Sequence, residues 1–103
     1  MDNVEAVRAF LRAQNLEQIG QVDDAVDLYE RVVAEKFDAS GPYDRLIAIY
    51  ADRAGHRDVI RVAEEALSHV HTHEEKRAWY ERMRAEALEA AARLPRAAPR
   101  PRR

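Results

Sequence analysis

The apolar residues of this chain recur at the spacing of an α-helix through nearly all of residues 1–94. Side chains three and four positions apart lie on one face of a helix, whereas those on one face of a strand are two positions apart. No stretch alternates with a period of two for long enough to predict a strand. With three glycines among 103 residues and 35% charged residues, the pattern predicts an all-α fold with one small core.

Five helices are expected, joined by loops of about two to five residues. The apolar positions mark them over residues 4–19, 22–37, 43–55, 59–70 and 72–94. Gly20 follows the first helix, and we expect it to adopt the left-handed backbone conformation of a C-terminal cap.

Two helix starts carry specific signals. Before the third helix, Ser40 or Gly41 is expected to be the N-cap, with Pro42 in the first turn, where its missing N–H costs nothing. Before the fifth helix, Thr72 and Glu75 fit a capping box, in which Thr72 caps the helix and Glu75 reaches back to it.

Residues 95–103 differ from the rest of the chain in both charge and composition. They hold three of the four prolines and the four arginines Arg96, Arg100, Arg102 and Arg103, with no acid. Residues 1–94 carry 19 acids and 13 bases. We therefore expect an acidic helical domain over 1–94, followed by a disordered, basic tail that begins at Pro95.

The residue types that enzymes need are scarce. The chain has no cysteine, its serines are Ser40 and Ser68, and its three glycines each stand at a predicted helix boundary instead of in a phosphate-binding loop. We expect no enzymatic activity and no cofactor. A mean hydropathy of -0.60 and the lack of a long apolar run or a secretory signal favour a cytoplasmic protein without a membrane span.

His69, His71 and His73 form one histidine-rich segment. Alternating imidazoles could face a zinc, copper or nickel ion together. Since this segment joins the end of one helix to the start of the next, we expect the rings to diverge, and no metal site is predicted. If a metal binds, these three residues are the expected ligands.

The arginine tail could contact phosphates. Four charges give only modest, salt-sensitive affinity, and the acidic domain would repel a long duplex, so nucleic acid is not the favoured partner. A solubilising, disordered end is the favoured interpretation, followed by a loose electrostatic contact with an acidic partner or with the acidic domain of the same chain.

The sequence contains an internal period of 34 residues. When residues 9–37 are laid over 43–71, small or apolar residues meet at most helical positions. The second unit contains the motif Tyr43-x-x-Leu46-Ile47-x-x-Tyr50, and the first unit contains Gly20, Ala25 and Tyr29 at their expected places. This pattern resembles the tetratricopeptide repeat, as two repeats plus a C-terminal capping helix over residues 4–94. Ile47 replaces a small residue of that motif, and the closing proline is absent from both units. A plain five-helix bundle is the alternative.

The resemblance implies an α-α superhelix of helical hairpins, whose first, third and fifth helices line a concave groove that receives a peptide or a helix. Carried onto this sequence by the 34-residue spacing, the groove candidates are Phe10, Gln14, Glu17, Asp44, Arg45, Asp52, Trp79 and Arg82. The lysine and asparagine with which some members hold a terminal carboxylate are missing.

Two functions follow from this reading. The first is a protein-interaction adaptor that binds a partner in the groove. The second is a self-assembling scaffold, because two repeats and a cap are short for a stable array and a second copy could complete it as a homodimer. The ratio of 15 arginines to two lysines favours a GC-rich bacterial source.

Overall fold

The computed structural model describes residues 1–71 and 73–93, and over these ranges the chain forms five α-helices and no strand. The helices are α1 (Asn3–Gln18), α2 (Val22–Ala34), α3 (Ser40–Asp52), α4 (His56–His69) and α5 (Arg77–Arg93). A single 3-10 turn, Glu74–Lys76, leads into α5. The predicted all-α class with five helices is confirmed. Thr72 with its predicted cap, Leu94 and the basic tail over 95–103 lie outside the described residues.

The start of α3 differs from the prediction. Ala39 is its N-cap, without a side-chain hydrogen bond, while Ser40 and Gly41 are its first two helical residues. The N–H groups of a first helical turn have no partner within the helix, so Pro42 is tolerated at the third position as well as the first. Pro42 therefore lies in the first turn, as predicted, but its presence does not determine at which residue the helix begins.

Other boundaries also shift: the third helix ends at Asp52 instead of 55, and the fourth begins at His56 instead of 59. The second helix ends at Ala34, because Lys36 takes a left-handed conformation (φ 59) and donates its N–H to the Val33 carbonyl at 2.9 Å. Phe37, which continues the apolar pattern, lies in the following loop. The fifth α-helix begins at Arg77, after the 3-10 turn.

The first and third helices end in the same way. Gly20 has φ +87, and the amides of Gly20 and Gln21 bond to carbonyls of the last turn of α1 at 3.1 and 2.9 Å. At the end of α3, Ala54 has φ 56, and the amides of Ala54 and Gly55 make the corresponding bonds at 3.1 and 2.8 Å. Both ends are Schellman caps, and their left-handed residues stand 34 positions apart.

Each helix packs mainly on the next one along the chain: α1 on α2, α2 on α3, α3 on α4 and α4 on α5. Because the connections are short, neighbouring helices run antiparallel. The chain is therefore an array of helical hairpins with α1 at one end and α5 at the other. Its core is built from small and medium apolar side chains together with tyrosine rings, and includes Ala13, Ala25, Tyr29, Val33, Tyr43, Leu46, Ile47, Val59, Val62, Ala63, Ala66, Val70, Tyr80 and Ala87.

Candidate interaction surface

Glu17 of α1 forms the centre of a polar cluster that joins three helices. Its carboxylate accepts a hydrogen bond from the Tyr29 hydroxyl of α2 at 2.8 Å. It also accepts two from the Arg45 guanidinium of α3, one from Nε at 3.1 Å and one from the terminal nitrogen Nη2. The hydrogen bond from Arg45 lowers the pKa of the Glu17 carboxyl, and Glu17 raises the pKa of Arg45 in return. The pair is a bidentate ion pair, with the Glu17 side chain 20% exposed and that of Arg45 42% exposed.

An open cleft of about 250 Å³ lies beside this ion pair. Gln14, Glu17 and Gln18 of α1 line it together with Arg45 of α3. Three of these four side chains, Gln14, Glu17 and Arg45, belong to the groove candidates, so the structure brings these three candidates together.

Asp44 connects α3 to the start of α5. It accepts a hydrogen bond from the Tyr80 hydroxyl at 2.9 Å and pairs with the Lys76 ammonium at 2.8 Å. That ammonium lies 5.5 Å from the centre of the Trp79 ring, within the range of a cation–π contact. Trp79 is half-buried against the core and stands 5.6 Å from Tyr80. Two more groove candidates, Asp44 and Trp79, are thus linked through Lys76.

Phe10 fills the space between α1 and its neighbours. Its ring centre lies 5.9 Å from that of Tyr29 on α2. On the α3 side it packs against Gly41 so closely that a Cβ on Gly41 would stand 2.5 Å from Phe10 Cζ. Phe10 therefore contributes to helix packing, and a groove contact through its ring remains a prediction.

Asp52 and Arg82 take no part in the contacts described above. Asp52 is the last residue of α3 and Arg82 lies on α5, and both are exposed. Neither side chain makes a hydrogen bond or an ion pair within the described part of the chain. The other six candidates lie in two groups. Phe10, Gln14, Glu17 and Arg45 lie between α1 and α3, whereas Asp44 and Trp79 lie between α3 and the start of α5.

A second polar cluster, on α2, α3 and α4, was not predicted. Glu30 accepts hydrogen bonds from the Tyr50 hydroxyl and from Arg61, whose Nη1 lies 3.1 Å away. Arg61 also pairs with Asp58 at 3.2 Å. Burial, with help from Glu30, raises the pKa of Tyr50. In the repeat motif Tyr50 is only an aromatic residue. Its hydroxyl is the signal that could have indicated this cluster, because a buried tyrosine hydroxyl needs a hydrogen-bond partner.

The histidine segment is divided among separate neighbours. His69 Nε2 lies 3.4 Å from Glu65, and His73 Nδ1 lies 3.4 Å from Glu75. The backbone N–H of His71 donates to Asp38 at 2.7 Å. Across residues 1–71 and 73–93, no group of three or more histidine, aspartate or glutamate side chains is placed to hold a metal ion.

No protein-family model matches the chain, and no curated protein or solved structure does so either. The resemblance to the tetratricopeptide repeat therefore depends on the motif residues and the 34-residue period. Among the helices that the structure describes, none has the length and apolar character needed to cross a membrane.

Proposed function

We propose that this chain is a protein-interaction module, a tetratricopeptide-like adaptor that holds a peptide or a helix of a partner against the face made by α1, α3 and α5. One observation supports the proposal most: three groove candidates, Gln14, Glu17 and Arg45, meet at an open cleft between α1 and α3. Two further candidates, Asp44 and Trp79, meet at Lys76 between α3 and α5. The proposed role is binding, without a reaction of its own.

The chemistry of the cleft indicates what kind of segment it would hold. The side-chain amides of Gln14 and Gln18 can each donate and accept hydrogen bonds, as the backbone of an extended peptide requires. Glu17 and Arg45 neutralise each other, so a strongly charged segment gains little there. We expect a polar peptide, anchored at its other end by Trp79 and the exposed Arg82, since tryptophan and arginine are frequent interface anchors.

The experiment is a selection of peptides from a random display library on the purified chain, followed by titration of the selected peptides with detection of backbone amide NMR shifts. We expect shifts concentrated at Gln14–Gln18, at Asp44 and Arg45, and around Trp79. Gln14→Ala should weaken binding about tenfold, the effect of losing one good contact. Gln21→Ala, exposed in the loop after α1 and outside the cleft, is the matched control and should leave the affinity unchanged.

Two results would contradict the proposal. One is that no peptide is enriched. The other is that the selected peptides shift residues around the Glu30 and Arg61 cluster instead, with Gln14→Ala binding as tightly as the unaltered chain.

A further inference from the structure

The helix at one end of the array, α1, carries a second apolar face that nothing in the described chain covers. Val4, Val7 and Leu11 are 62%, 44% and 51% exposed. Their spacing of three and four residues places them on one side of the helix, away from Ala6 and Ala13, which are buried. Exposed apolar residues in a contiguous stripe mark an interaction surface more strongly than the same residues scattered singly.

The opposite end of the array is different. The exposed positions of α5 include Glu81, Arg82 and Glu89, and its one strongly exposed large apolar side chain among the described residues is Leu88. Stacking α1 of one copy on α5 of the next would place the stripe against these charges. A head-to-tail assembly is therefore disfavoured. A contact of α1 with α1 of a second copy buries the stripes of both copies and forms a closed dimer.

The charges beside the stripe are self-complementary. Glu5, Arg8 and Arg12 are exposed and flank the same side of the stripe, Glu5 near the start of α1 and Arg12 two turns further on. In an antiparallel pair of helices, the same flanks of the two helices meet in opposite order. One oxygen of the Glu5 carboxylate accepts a hydrogen bond from the Asp2 N–H at 3.0 Å in the capping box of α1. The same carboxylate of each copy then also faces the arginines of the other copy, twice by symmetry.

We infer that two copies of this chain pair through α1, antiparallel and stripe against stripe. Val4, Val7 and Leu11 of one copy interdigitate with those of the other, and Glu5 forms reciprocal ion pairs across the interface. The inference does not depend on the proposed peptide binding, and either can fail alone.

The first experiment is analytical ultracentrifugation of the full chain over a wide concentration series. We expect the mass to rise with concentration from that of one chain to that of two. Leu11→Glu should weaken dimerisation about a hundredfold, because the charge enters the interface twice and each copy costs about tenfold. Leu88→Glu is the matched control, an equally exposed leucine on α5, and it should dimerise like the unaltered chain.

Since Leu11 is half exposed, the Leu11→Glu chain should keep its helical circular dichroism. A chain that stays monomeric at every concentration would overturn the inference. A dimer that survives Leu11→Glu but is lost in Leu88→Glu would overturn it as well, since the contact would then lie at the other end of the array.

The second experiment reverses the flanking charges. Glu5→Arg makes the flank wholly basic, and Arg8→Glu with Arg12→Glu makes it wholly acidic. Each variant alone should be monomeric where the unaltered chain is dimeric, while a mixture of the two should form a heterodimer that weakens as salt is added. A mixture that stays monomeric, although both variants fold, would show that these flanks do not meet.

Discussion

Every tyrosine ring in this chain brings a hydroxyl group into or beside the core, and each hydroxyl donates a hydrogen bond. The four bonds join Tyr29 to Glu17, Tyr43 to the Phe37 carbonyl, Tyr50 to Glu30 and Tyr80 to Asp44. A phenol gives a large apolar surface together with one polar atom that must be paired when it is buried. Burial raises the pKa of all four, that of Tyr43 to about 12. Three of the bonds end on carboxylates, and each joins two different helices: α1 with α2, α2 with α3, and α3 with α5.

Glu17 gives a prediction about acid stability. Its folded-state pKa is lowered from 4.5, chiefly by Arg45, so the ion pair stabilises the fold fully above that pH and is lost as the pH falls through the lowered value. Glu17→Gln should cost about 1 to 2 kcal/mol at neutral pH, since a charged hydrogen-bond acceptor is lost. It should also flatten the decline of stability below pH 4.5.

The measurement is urea unfolding at a series of pH values. Glu81→Gln, at an exposed position on α5, is the control and should run parallel to the unaltered chain. A Glu17→Gln curve that coincides with that of the unaltered chain would mean that the ion pair contributes nothing to folding.

The left-handed residues Gly20 and Ala54 give a matched pair of tests. Both close a Schellman cap, but only glycine adopts positive φ without steric cost. Ala54→Gly should therefore stabilise the chain by about 0.5 to 1 kcal/mol, and Gly20→Ala should destabilise it by a similar amount. No atom lies within 4 Å of a Cβ on Gly20, so the backbone conformation alone decides the effect. Thermal unfolding of the two variants checks this, and a loss of stability in Ala54→Gly would contradict it.

At the scale of helices, the approach of α1 to α3 depends on Gly41. A Cβ there would stand 2.5 Å from the Phe10 ring, which is held on its other side by Tyr29. Gly41→Ala should destabilise the chain by about 1 to 3 kcal/mol through overpacking. Phe10→Leu should destabilise the Gly41→Ala chain less than it destabilises the unaltered chain, because the smaller side chain leaves room for the new methyl group.

A double-mutant cycle by chemical denaturation measures this coupling. Gly55→Ala is the control, since its Cβ would meet its nearest atom at 3.5 Å, an ordinary contact, and it should be tolerated. Additive effects of the Gly41 and Phe10 substitutions would show that the two sites are independent.

Apolar spacing was sufficient to predict the number of helices, and less sufficient to predict their ends. The pattern continued through Phe37 into a loop, and Ser40 and Gly41 both satisfied the rules for an N-cap while belonging to the helix itself. Ala54 gave no sign of its left-handed conformation, because alanine is usually helical. Periodicity also treats the two sides of α1 alike: Phe10 packs inward, and its neighbour Leu11 is half exposed.

The candidate surface was likewise predicted only in part. The repeat was enough to predict that α1 and α3 share one face, and therefore to choose both Glu17 and Arg45 as candidates, although the two are 28 residues apart and are not equivalent positions of the repeat. It could not show that they would pair with each other, since pairing depends on side-chain reach. The cluster of Glu30, Tyr50 and Arg61 lay outside the motif and was missed for that reason.

For the whole molecule, what matters is that the two ends of the array differ. An array of helical hairpins buries apolar surface only between neighbours, so each end needs either a polar face or a partner. The described exposed face of α5 has charged residues, whereas α1 presents Val4, Val7 and Leu11. Folding and association are therefore expected to be coupled through α1.

This coupling predicts that thermal stability depends on concentration. A partner that binds the folded chain and not the unfolded chain stabilises it by mass action. The Tm should therefore rise as the chain concentration is raised and a larger fraction of the chains is in the dimer. In Leu11→Glu the Tm should be independent of concentration and should match that of the unaltered chain at its lowest concentration. The Tm of the Leu88→Glu chain should rise with concentration in parallel with that of the unaltered chain. Differential scanning calorimetry over a hundredfold range of concentration gives the answer, and a Tm that stays constant for the unaltered chain would mean that the exposed stripe of α1 contributes nothing to its stability.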